Sequence, residues 1–156
     1  MNLWDKALQF ARDAHSGQRR KYTDDPYINH CVSVARMVQQ RGGSDEQCAA
    51  ALLHDTIEDT ETTFDDLCRE FGSDVACLVA DVTDVFTKAA FPEMNRKKRK
   101  ALEAERLGNI SQRSKLIKLC DLIDNTSTIV RFDPDFAVVY LREKADILEA
   151  MGFGEK

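Results

Sequence analysis

Apolar residues recur at helical spacing through most of this chain, and no stretch shows the apolar-polar alternation of a half-buried strand. That pattern confines the fold to packed helices. Leu3, Ala7, Leu8, Phe10, Ala11 and Ala14 outline a first amphipathic helix, which Gly17 ends. The segment from Gln18 to Asn29 mixes bases with Asp24, Asp25 and Pro26 and reads as an irregular loop. A second helix is predicted roughly over 28–40, with Val32, Ala35 and Val38 inward and Gly42-Gly43 as its stop. Ser44, followed three residues later by Gln47, forms a capping box that opens a third helix, predicted to end in the cluster His54–Asp59. Short helices are expected over 64–70 and from Ser73, the latter with Val75, Leu78, Val79 and Val82 on its apolar side. A loop containing Pro92 then leads into a basic helix reaching about residue 107. The next helix is predicted over 112–130, with Leu116, Ile117, Leu119, Leu122, Ile123 and Ile129 facing the core. Asp133-Pro134, a cap with proline at the first helical position, starts a last helix to about residue 151. The expected fold is all-α, a compact helical bundle in a single domain over 1–156.

At 156 residues the chain can bury a core without disulfide or metal staples. No apolar run approaches the roughly 20 residues that a bilayer requires, and the N-terminus lacks the order of a signal peptide. A cytoplasmic protein with no membrane partner is therefore expected. Five cysteines, at 31, 48, 68, 77 and 120, are odd in number, lack close pairs and sit mostly among apolar neighbours. They read as reduced core residues. The net charge of −5 argues against general nucleic-acid binding, although Arg19-Arg20-Lys21 and Arg96–Lys100 are local basic clusters.

The apolar run Cys48–Leu53 closes on His54-Asp55-Thr56-Ile57-Glu58-Asp59, a concentration of ionisable groups that packing does not explain. On a continuous helix Glu58 would follow His54 by four residues and Asp55 by three, so several of these groups could converge. Burying carboxylates requires a cation or hydrogen bonds in compensation. Two further residues can join them. His30 opens the second helix, and Asp121 lies within the apolar run Leu119–Ile123, where a carboxylate should be buried. Each alone has an ordinary reading, as a core or capping histidine and as an ion-paired acid. Together with His54 and Asp55 they form a two-His, two-Asp set suited to manganese, iron or zinc, with positions open to water and substrate.

The order His30, His54-Asp55, Asp121 on an all-helical chain resembles the HD superfamily of metal-dependent phosphohydrolases. Gly17–Lys21, Pro26–His30, Ala50–Thr60, Val82–Asp84 and Lys115–Asp121 together resemble the hydrolase domain of RelA/SpoT proteins and the stand-alone small alarmone hydrolases. The resemblance implies that His30, His54, Asp55 and Asp121 hold one manganese ion and that Glu58 and Asp59 are the catalytic pair. It also implies a phosphorylated nucleotide as partner, with Arg20 and Lys21 flanking it and Asn125 and Thr128 on its sugar and phosphate. Arg96 falls where relatives often carry a substrate-binding lysine. The implied reaction removes the 3′-pyrophosphate of guanosine tetra- or pentaphosphate. Adenosine alarmones, the 2′-phosphate of NADPH and a non-catalytic nucleotide-binding role are the alternatives.

Four residues depart from that pattern. Cys31 replaces a proline at a helix start. Leu122, Asp124 and Ser127 replace residues on the side of the helix that faces substrate, and so bear on which nucleotide is preferred. A carboxylate at 124 would repel a polyphosphate unless it faces away.

Overall fold

Helix α3 (Asp45–Leu52) lies at the centre because beyond its acidic first turn it has no polar face to present to water. Ala49, Ala50, Ala51, Leu52 and the following Leu53 are all fully buried. Its alanines allow neighbours on every side, and α1 (Leu3–Ala14), α2 (Ile28–Gln40), α6 (Ser73–Val82) and α8 (Gln112–Phe132) all pack against it. The computed structural model describes residues 1–153, and among these nine helices make up the fold. The others are α4 (Thr56–Asp59), α5 (Phe64–Phe71), α7 (Arg96–Leu107) and α9 (Pro134–Met151). No strand occurs among the described residues; an isolated antiparallel bridge joins Arg19 to Pro26. None of the described helices is long and apolar enough to cross a membrane.

Local sequence sets these boundaries. Ser44 and Gln47 form the expected reciprocal capping box, and Thr63 with Asp66 forms a second one at the start of α5. Asp133 caps α9, with Pro134 at its first position. Gly43 is required by a close approach: a Cβ there would stand 2.4 Å from Val38 Cγ1. The turn between α2 and α3 can thus press against the helix it leaves.

Most apolar side chains fill one core between α1, α2, α3, α6 and the first half of α8. A smaller core, built on Ala104, Leu107, Leu122, Ile147 and Met151, ties α7 and α9 to the second half of α8.

Three expectations need correction. The third helix does not run through the acidic cluster: it stops at Leu52, and Leu53 and Asp55 adopt φ/ψ of −98/2° and −103/4° before the single turn of α4. Thr56 stabilises that break by donating its hydroxyl to the Leu53 carbonyl at 2.7 Å. Ile123 is 40% exposed instead of inward, because Leu122 takes the position against the α7–α9 core. Among the cysteines, which are all free, Cys31, Cys48 and Cys120 are buried, Cys68 is half-buried and Cys77 faces solvent on α6.

Candidate metal centre and active site

The break after α3 carries His54 and Asp55 into the space between α2 and α8. Buried His54 donates from Nδ1 to the Ala51 carbonyl at 2.7 Å, which leaves the lone pair of Nε2 facing two carboxylates. Asp55 Oδ2 is 3.0 Å from that nitrogen and Asp121 Oδ1 is 3.2 Å from it. His30, on the first turn of α2, brings its Nε2 to 3.0 Å from Asp121 Oδ1 and 3.7 Å from Asp55 Oδ2. One ligand atom from each of His30, His54, Asp55 and Asp121 lies within 4.8 Å of every other. Two imidazole lone pairs aimed at carboxylate oxygens attract only with positive charge between them. The donor set and its burial therefore fit a divalent cation of the manganese, iron or zinc type.

The electrostatics express the same demand. Burial opposes charge on His54, but Asp55 and Asp121 outweigh it and hold the imidazole well above its ordinary range. Burial likewise pushes Asp121 upward, and the charges of His54 and Lys118 override it to leave the carboxyl well below its usual value. The Lys118 ammonium stands 3.4 Å from Asp121 Oδ2. Neighbouring side chains fix members of this cluster: Tyr27 donates its phenol to Asp55 Oδ2, Asn125 donates to Asp121 Oδ1 at 3.0 Å, and Asp124 accepts from His30 Nδ1 at 2.6 Å.

Beside the cluster opens a cavity of ≈190 Å³, with Glu58, Asp59, Lys118 and Lys144 among the residues that line it. Glu58 Oε1 accepts the Asp84 backbone N–H at 3.0 Å, which fixes the carboxylate although the side chain is exposed at the mouth. Desolvation, with Asp84 adding repulsion, pushes the Glu58 carboxyl up to about 7. Desolvation and Asp55 push Asp59 up to about 6. Burial and the neighbouring ammonium of Lys118 bring Lys144 down to about 8. Two raised carboxyls beside a buried cation site are a constellation for moving protons to and from a polar substrate.

The sequence profile of the HD domain matches residues 7–149. The chain belongs to the HD domain family. Its relatives include the guanosine-3′,5′-bis(diphosphate) 3′-pyrophosphohydrolase MESH1 of Xenopus tropicalis, 42% identical over 133 residues, or 83% of this chain and 71% of that protein. The Homo sapiens MESH1 is 40% identical over the same shares. A solved metazoan orthologue of SpoT that hydrolyses ppGpp superposes with a TM-score of 0.84 at 31% identity, covering 97% of this chain and 86% of its own.

The remaining residues singled out in the sequence are placed unevenly around the HD site. Arg20 reaches α8, pairing with Asp124 at 3.1 Å and donating to Asn125 at 3.3 Å and Thr128 at 3.4 Å. Asn125 also lines the cavity. Lys21 is exposed, with its ammonium 5.3 Å from the centre of the Tyr22 ring. Arg96 is held on α9 by two hydrogen bonds to Glu143, at 2.8 and 3.0 Å, and does not line the cavity. Asp124 turns toward His30 and Arg20 and away from the cavity, so its charge is neutralised inside the protein. Sequence reasoning assigned no role to Tyr27, Lys118, Lys144 or Tyr140, all of which line the cavity. Lys118 was legible, since a lysine three residues before a buried aspartate is positioned to pair with it. Lys144 had no local signal, because only the packing of α9 on α8 brings it there.

Proposed function

We propose that this HD protein is a manganese-dependent hydrolase that removes the 3′-pyrophosphate of guanosine tetra- and pentaphosphate, leaving GDP or GTP and pyrophosphate. The observation that carries this reading is the two-His, two-Asp cluster with Glu58 and Asp59 on the wall of the same cavity. The 3′-pyrophosphohydrolase activity named for relatives at 40–42% identity supplies the substrate.

His30, His54, Asp55 and Asp121 are the residues that would hold the cation. Bound there, it supplies Lewis acidity, which acidifies water and draws charge from a phosphoryl oxygen. Glu58, oriented by the Asp84 N–H, is placed to take the proton of the attacking water, and a carboxyl near 7 suits a base at neutral pH. Water adds to the phosphorus attached to the ribose 3′ oxygen. The bond between them breaks, pyrophosphate departs, and the 3′ oxygen takes up a proton from solvent, while Asp59, pushed up only to about 6 and so mostly ionised at neutral pH, is the second carboxylate of the catalytic pair. Lys118 and Lys144, which line the same cavity, offset phosphate charge.

The cavity's ≈190 Å³ is below the roughly 300–1,000 Å³ of a pocket for a drug-sized ligand. It suits a pyrophosphate-sized group, with the nucleoside on the rim beside Arg20, Asn125 and Thr128. A guanidinium anchored to α8 through Asn125 and Thr128 can stack on a base as well as pair with phosphate.

Product analysis by phosphorus NMR tests the reading. The expected products of guanosine tetraphosphate are GDP and pyrophosphate. Release of orthophosphate, or turnover of NADPH alone in a substrate panel, would overturn it.

A further inference from the structure

The surroundings of Asp124 are unlike those of a surface acid. Its Oδ2 lies 2.6 Å from His30 Nδ1 and 3.1 Å from Arg20 Nη1. The side chain is 15% exposed and lies behind the histidine, outside the cavity lining. A carboxylate at that distance accepts, so the proton of the His30 ring sits on Nδ1. Nε2 lies 3.0 Å from Asp121 Oδ1 and 3.7 Å from Asp55 Oδ2, so it is the ring nitrogen placed to give its lone pair to a cation held between these oxygens. Arg20 holds the far side of the same oxygen and is itself anchored to Asn125 and Thr128 one turn along α8. The carboxylate thus has a fixed position and a compensated charge.

A carboxylate on the outer nitrogen of a ligating histidine fixes the ring's tautomer and orientation and raises its basicity. We propose that Asp124 is a positioning residue of the metal centre, acting through His30 to present Nε2 as a ligand, and that Arg20 secures it. The inference rests on the metal-site reading above. It also explains why an acid is tolerated beside a polyphosphate site: its charge is committed to His30 and Arg20.

Two measurements test it. In the zinc-loaded, diamagnetic protein, nitrogen-15 NMR of the histidine rings should show His30 with its proton on Nδ1; a proton on Nε2 would overturn the proposal without any substitution. Manganese affinity, read from free-ion electron paramagnetic resonance, is then compared in the wild-type protein, His54→Ala, Asp124→Leu and Asp124→Asn. Asp124→Leu should weaken binding about 10- to 100-fold, and Asp124→Asn, whose amide oxygen can still accept from Nδ1, should recover most of that loss. A folded Asp124→Leu protein that binds manganese as the wild type does, while His54→Ala has lost it, would overturn the role of Asp124 and leave the metal site standing. A wild-type protein that binds no manganese would remove both.

Discussion

The phenol of Tyr27 donates to Oδ2 of Asp55, the same oxygen that faces His54 Nε2 at 3.0 Å. Burial, with the adjacent charge of Asp55 adding to it, pushes the phenol far above its ordinary range, so it remains a donor at every working pH. Tyr27 precedes α2 and His30 sits within its first turn, so one helix start supplies both a candidate ligand and a support for another. Tyr27→Phe removes only the hydroxyl. It should weaken metal binding by about tenfold with little change in fold; calorimetric titration with manganese checks this, and an unaltered affinity would contradict it.

The raised carboxyls set a pH dependence. In the proposed mechanism Glu58 is the base, which requires it to be ionised, and its carboxyl is pushed up to about 7. The value of kcat/KM should therefore rise with pH through a limb centred within about a unit of 7, below which the base is protonated. A profile flat between about pH 5.5 and 8 would contradict this.

The same shift has a stability consequence of opposite sign. The folded Glu58 carboxyl has a higher affinity for its proton than the unfolded one, whose value is 4.5, so folding is favoured below 4.5 and that contribution is lost as pH rises toward 7. Glu58→Gln abolishes the penalty. Because solvent reaches the mouth of the cavity, the gain for metal-free protein at pH 8 should be modest, about 1 kcal/mol, read by denaturant melts; a loss of stability would contradict the account.

Metal should stabilise the fold, since the four residues that would hold it come from α2, the α3–α4 turn and α8. At about 100 times Kd the added stability is about 2.7 kcal/mol, or roughly 5–10 °C in Tm for a domain of this size. Thermal melts with and without a chelator measure it.

The capping box of α3 offers a control remote from chemistry. Ser44 Oγ accepts the Gln47 N–H at 3.2 Å and also receives Arg113 at 3.3 Å. Ser44→Ala should cost about 1 kcal/mol in a urea melt and leave manganese affinity unchanged.

Much of this was legible in the sequence because local chemistry decides it. Caps at Ser44 and Asp133 marked the starts of the third and last helices, and the 3.6-residue period gave the first and second helices close to their observed extents. The convergence of His30, His54, Asp55 and Asp121 was readable as a ligand set because a buried acid at 121 requires a partner. The helix break at Leu53 was not readable: Leu53 and Asp55 are tolerable helix residues, and what stops α3 is the local bond from Thr56 and the demands of the buried cluster. Nor could the sequence reveal which way Asp124 faces. Leu122 and Ile123 are equally apolar, and only the arrival of α9 decides which is covered.

The most direct test of the central claim is pyrophosphate release from guanosine tetraphosphate by the purified protein, with and without manganese, alongside Glu58→Ala. The account predicts release that requires manganese and falls by at least about 100-fold in Glu58→Ala, the scale of a lost general base, while that variant still binds the metal. Release undiminished in Glu58→Ala, or none from wild-type protein shown to hold manganese, would contradict it.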